Sequence, residues 1–121
     1  FISKPTTNTS YQFSEIVEWV KANADKPLTV SAISDTFNYN ANYLSNLFKS
    51  KTGYSLNKFI NKTKISKAKE LLLKTDKTIK EVAYDLGFSD DKYFMKVFKV
   101  HMDMTPSQYR NAYYNIHINS R

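Results

Sequence analysis

The sequence predicts an all-α protein of seven helices, and three observations predict it. Only two glycines and three prolines occur in 121 residues, too few for a turn-rich β protein. Apolar residues recur at helical spacing along the whole chain. Side chains suited to capping helix starts stand just ahead of most of the apolar runs.

In the first helix Phe13, Ile16, Val17 and Val20 fall at i, i+3, i+4 and i+7 and form one buried stripe. The segment "NADKP" ends it, because Pro27 cannot continue a helix. Thr29 can cap a short second helix from Val30 to about Thr36, and Asn40 a third that runs to about Lys51, with Gly53 closing it. The longest helix covers Ser55 to about Lys74, with Leu56, Phe59, Ile60, Ile65, Ala68, Leu71 and Leu72 on one side and the lysines elsewhere. Eighteen helical residues extend about 27 Å. Thr78 and Glu81 make a capping box for the fifth helix, and Ser89 can cap the sixth. Thr105, Pro106 and Gln108 open the seventh with a cap, a first-turn proline and a second box.

Two stretches repeat one pattern. "ISDTFNYNANYLSNLFK" (33–49) and "VAYDLGFSDDKYFMKVFK" (82–99) align with Ile33-Ser34 over Val82-Ala83, Phe37 over Leu86 and Tyr39 over Phe88. After one extra residue in the second copy, Tyr43, Leu44, Leu47, Phe48 and Lys49 fall over Tyr93, Phe94, Val97, Phe98 and Lys99. Asn38 matches Gly87 between the helices, and Gly53 matches Asp103 after the second helix. All four residue types tolerate positive φ, so each copy needs a left-handed residue at the same two places. Helix, tight turn and a second helix with a polar outer face describe a helix-turn-helix.

With Tyr43, Leu44, Leu47 and Phe48 expected inward, the first copy presents Ala41, Asn42, Ser45, Asn46 and Lys49 outward. With Tyr93, Phe94, Val97 and Phe98 inward, the second presents Asp91, Lys92, Met95 and Lys96. Asparagine pairs bidentately with adenine, serine donates or accepts, and lysine reaches guanine or phosphate. Asp90 and Asp91 would be repelled by phosphate but are favoured at a helix start, so a capping role is expected of them. Eighteen basic against 11 acidic residues give a formal charge of +7, which suits a polyanionic partner.

The second copy with its sequel, "GFSDDKYFMKVFKVHMDMTPSQYR", resembles the G-F-S-x-x-x-Y-F-x-x-x-F-K…T-P-x-x-Y-R signature of the AraC/XylS-type transcription regulators. The resemblance covers about Tyr11 to Tyr113. Asp103 stands where many members have glycine, and Lys64 where the joining helix commonly carries arginine. The resemblance implies two helix-turn-helix units on a joining helix, entering successive major grooves of double-stranded DNA. It implies base contacts from Ala41, Asn42, Ser45 and Asn46 in the first unit and from Asp91, Lys92, Met95 and Lys96 in the second. Phosphate contacts are expected at helix starts, from Ser31, Asn40, Thr78 and Ser89, and from Lys49, Lys51 and Lys99. RNA polymerase is the further partner it implies, with activation the usual outcome, together with a sensory or dimerisation region upstream of Phe1.

The organisation expected is a linker over 1–10, helix-turn-helix units over 11–54 and 76–113, a joining helix over 55–75 and a tail over 114–121. An enzyme is not expected. There are only two histidines, His101 and His117, there is no cysteine, and neither a phosphate-cradling glycine loop nor a metal-ligand spacing occurs, so no cofactor and no metal are expected. Trp19 and the tyrosines could stack on single strands, but their helical spacing favours the core. A basic helical module that binds protein without reading DNA is the alternative. No apolar run spans a bilayer and no signal segment opens the chain, so no membrane partner is expected and a cytoplasmic setting fits.

Overall fold

A computed structural model describes the backbone of residues 9–119 and the side chains of residues 13–114. Seven helices and no strand occur among the described residues: α1 Thr9–Ala22, α2 Val30–Phe37, α3 Ala41–Thr52, α4 Leu56–Lys74, α5 Ile79–Asp85, α6 Asp91–Met102 and α7 Pro106–Asn119. The expected linker lies outside these residues except for Thr9 and Ser10, which already belong to α1. The expected tail continues α7 as far as Asn119.

The caps form where the local chemistry allows. Thr29, Asn40 and Ser55 accept from the backbone N–H three residues on, at 3.0, 3.1 and 3.3 Å. The Thr78–Glu81 box closes in both directions, at 3.1 and 2.8 Å, and Thr105 with Gln108 repeats it at 3.1 and 2.9 Å. Each such bond satisfies an N–H that the helix itself leaves without a partner. In the sixth helix the capping role expected of Asp90 forms, and the one offered to Ser89 does not. Its N-cap is Asp90, whose carboxylate accepts from Lys92 N–H at 3.0 Å, and Ser89 lies one residue outside. The carboxylate gains the helix dipole in addition to the hydrogen bond, which a serine hydroxyl does not.

Two hydrophobic cores share α4. Ile16, Val20, Ile33, Leu44 and Phe48 close around its first half at Leu56 and Ile60. Val82, Ala83, Leu86, Phe94, Phe98 and Tyr109 close around its second half at Ile65, Ala68 and Leu72. Phe48 meets Phe13 and Phe59 with ring centroids 4.8 and 5.2 Å apart, and Phe98 meets Phe94 and Tyr109 at 5.9 and 5.6 Å. Arg110 of α7 donates to the carbonyls of Leu72 and Thr75 at 2.9 and 3.3 Å, which ties α7 to the end of α4.

The lysines of α4 do not all point outward. Lys64 is 4 % exposed, so the expectation of a lysine-free buried side fails at this residue. It stands in the column Leu56, Ile60, Lys64, Ala68, Leu72, each four residues from the next and all buried.

Candidate nucleic-acid interface

The two copies fold alike down to single hydrogen bonds. Asn38 and Gly87 hold φ +60° and +81°, and behind them Tyr39 N–H donates to Ser34 O at 2.9 Å and Phe88 N–H to Ala83 O at 3.0 Å. This i to i+5 bond is the Schellman closure, and it needs the left-handed residue just before it. Gly53 and Asp103 hold φ +89° and +61°, and their N–H groups donate to Lys49 O and Lys99 O at 2.9 and 2.8 Å. All four sequence-expected left-handed positions are therefore occupied. Asn40 and Asp90 hold the same cap position, Asn40 accepting from the third N–H on and Asp90 from the second, which makes Ser89 the extra residue of the second turn.

On α3, Leu44 and Phe48 are fully buried, and Ala41, Asn42, Asn46 and Lys49 are exposed, with Ser45 half-buried at the margin. On α6, Phe94, Val97 and Phe98 are buried and Lys92, Lys96 and Lys99 are exposed. Asp91 is half-buried. Met95 is half-buried and packs against the second core, so it is less outward than its spacing suggests. Ser31, Asn40, Lys51, Thr78 and Ser89 are all exposed; Asn40 and Thr78 already use a side-chain oxygen as a cap, and Lys51 Nζ lies 5.9 Å from the Phe13 ring centroid.

Two residues expected inside are outside. Tyr43 and Tyr93 are 47 % and 52 % exposed, on the turn-facing side of α3 and α6. Each leans on the aromatic residue of its own turn: Tyr43 on Tyr39 at 5.6 Å and Tyr93 on Phe88 at 6.0 Å between centroids. The aromatic contact shields one side of each ring, while the hydroxyl end has a polar environment to seek. The signal was present in the sequence, since both copies keep tyrosine here where a purely buried site would accept phenylalanine.

A groove of about 770 Å³ runs along α4 between Lys21, Lys67 and Tyr109, and none of the residues expected at the interface lines it. Among the described residues no group of three or more His, Asp or Glu side chains is placed to hold a metal ion, and no helix is long and apolar enough to cross a membrane. His101, half-buried near the end of α6, is held below the usual histidine range by burial and by the nearby Lys58 and Lys62.

Paired helix-turn-helix units at the two halves of one joining helix, each with a polar second helix facing out, define a DNA-binding domain of the transcription-regulator class. A helix-turn-helix domain family matches residues 33–112, about two-thirds of the chain, and the chain belongs to that AraC-type family. Among its relatives, the HTH-type transcriptional regulator YijO of Escherichia coli is 33% identical over 103 residues, which is 85% of this chain and 36% of YijO. The regulatory protein SoxS of Salmonella typhimurium is 30% identical over 96 residues, covering 79% of this chain and 90% of SoxS. The solved C-terminal domain of AraT, a response regulator from Geobacillus stearothermophilus, superposes with a TM-score of 0.78 at 30% identity, over 82% of this chain and 83% of that one. The chain thus spans about a third of YijO and nine-tenths of SoxS.

Proposed function

We propose that this domain binds double-stranded DNA sequence-specifically, with α3 and α6 in successive major grooves on one face of the duplex, and so regulates transcription. The single observation that supports this reading most is the equivalence of the two turns, which gives the chain two reading helices of the same local build at the two halves of α4. Successive major grooves lie roughly 34 Å apart, and the 19 residues of α4 extend about 28 Å, which leaves the reading helices the right order of separation.

In this reading Asn42, Ser45 and Asn46 contact bases from α3, with Ala41 close to a thymine methyl. Lys92 and Lys96 do so from α6, with Asp91 and Met95 at the edge of the contact. Lys49, Lys51, Lys99, Ser31, Asn40, Thr78 and Ser89 meet phosphates, and we add the hydroxyls of Tyr43 and Tyr93 to that group. The chain acts here as a binding module without catalysis, in the cytoplasm, joined to a sensory or dimerisation region and recruiting RNA polymerase for activation. The functional units are taken as 11–54 and 76–113, on the joining helix 55–75.

Selection of duplexes from a random pool followed by single substitutions tests this. Asn46→Ala is expected to relax preference at one or two base pairs, whereas Lys99→Ala weakens all duplexes alike. With about six phosphates neutralised, log K against log salt is expected to slope at about −5. A protein-interaction module would select no sequence, and both substitutions would then change affinity uniformly or not at all.

A further inference from the structure

Lys64 sits at the middle of α4 with its ammonium out of water. It donates to the carbonyls of Ala24 at 2.7 Å and Lys26 at 2.5 Å, both in the connection between α1 and α2, and to that of Leu86 at the end of α5. The Phe88 ring centroid is 5.5 Å away. One charged group thus holds backbone from the first unit and backbone from the second, using the three donors an ammonium has. The two segments also touch directly, since a Cβ added to Gly87 would lie 2.3 Å from the carbonyl carbon of Lys26.

We propose that Lys64 is a positioning residue for DNA reading: its ammonium clasps the α1–α2 connection to the turn between α5 and α6, and so fixes the spacing and phase of α3 and α6. This rests on the reading that both helices engage one duplex. Packing alone gives no reason for the charge, because a buried ion is disfavoured by desolvation and an apolar side chain would continue the column of Ile60 and Ala68; what the ammonium adds is a donor for three carbonyls. An apolar chain could not bond to carbonyls of two separate units. The charged groups acting on it are Asp25, from the α1–α2 connection, which favours the ammonium, and Lys67, on α4 itself, which opposes it. The α5–α6 turn offers the Leu86 carbonyl and the Phe88 ring. Burial outweighs Asp25 and lowers the pKa from 10.5 to about 8.

Loss of the proton leaves two N–H donors and a lone pair facing three carbonyl oxygens, so the clasp weakens as pH rises past about 8. Stability moves the other way. The folded pKa lies below the unfolded one, so between about 8 and 10.5 the unfolded chain keeps a proton that the folded chain has released. The contribution of this group to stability therefore rises with pH across that window. A residue that served stability only would not give opposite trends.

The test compares affinity for a selected duplex carrying both half-sites with affinity for duplexes carrying either one, for wild type, Lys64→Arg and Lys64→Met at pH 7 and 9. Lys64→Met is expected to bind single half-sites as wild type does and to lose roughly ten-fold or more of the two-site advantage, the scale of one charged hydrogen bond. Wild type loses part of that advantage at pH 9, and Lys64→Arg keeps it at both. An unchanged advantage in Lys64→Met, or equal losses on single and double sites, overturns the proposal. Should Lys64→Met not fold, the wild-type and Lys64→Arg profiles decide: parallel profiles overturn the clasp, and divergence above pH 8 supports it. If wild type shows no two-site advantage on any duplex, the reading beneath fails and the clasp with it.

Discussion

Alanine at Gly87 is expected to damage the molecule far more than alanine at Gly53, although both glycines hold left-handed backbone, at φ +81° and +89°. A Cβ at Gly53 meets nothing within 4 Å. Gly53→Ala therefore carries only the strain of an L-residue at positive φ, about 1–2 kcal/mol. A Cβ at Gly87 would lie 2.3 Å from Lys26 C, 2.6 Å from Lys26 O and 2.6 Å from Pro27 N. These are backbone atoms, so no side chain can swing aside to make room. Overpacking of that kind adds about 1–3 kcal/mol, for a total of about 2–5 kcal/mol. Urea unfolding followed by helical circular dichroism separates the two, with the midpoint of Gly87→Ala expected well below that of Gly53→Ala at similar slope. Because the clash is relieved by parting the two units, Gly87→Ala should also lower two-site DNA affinity, and Gly53→Ala should not. Equal midpoints for the two variants would refute the argument that closeness between the units, in addition to φ, requires glycine at 87.

Other outcomes follow from the same geometry. Asp90→Ala is expected to lose about 1 kcal/mol as the cap of α6 is removed, whereas Ser89→Ala leaves the unfolding midpoint nearly unchanged. For His101 the folded pKa lies below the unfolded value of 6.5, so the folded chain binds fewer protons as acid is added. The contribution is intact above about pH 6.5 and lost as pH falls further; urea titrations at pH 7 and pH 5 should show a smaller loss in His101→Gln than in wild type. Tyr43→Phe and Tyr93→Phe are expected to weaken binding to all duplexes by a similar factor and to leave unfolding unchanged, since each hydroxyl is assigned to phosphate and each ring keeps its aromatic neighbour.

Much of the fold was legible because it rests on local chemistry. A cap depends on one side chain and a backbone N–H three residues on, so Thr29, Asn40, Thr78 and Thr105 announced four helix starts. The repeat announced the positive φ at Asn38 and Asp103, which neither residue alone would have done. At Ser89 and Asp90 two adjacent residues could cap, and the choice between them fell to the extra residue of the second turn. Burial was harder to read where residue type and position disagree. Lys64 stands in the apolar column at i+4 from Ile60 and i−4 from Ala68, yet its charge argued it outward. Only the meeting of two loops distant in sequence supplies its carbonyls, and no pattern local to α4 contains them. Tyr43 and Tyr93 failed in the opposite sense: aromatic residues beside an apolar stripe suggest core, but a turn aromatic already fills the adjoining space.

The central claim is that one stiff protein reads two grooves at a fixed separation. Affinity for a series of duplexes in which the spacer between the selected half-sites is lengthened by five and then by ten base pairs tests it most directly. Five pairs turn the second half-site to the far side of the duplex, and ten restore the face but add about one turn, roughly 34 Å, to the gap. The account predicts that both insertions reduce binding to the level of a single half-site. Affinity indifferent to the spacer, or restored at ten added pairs, would contradict it.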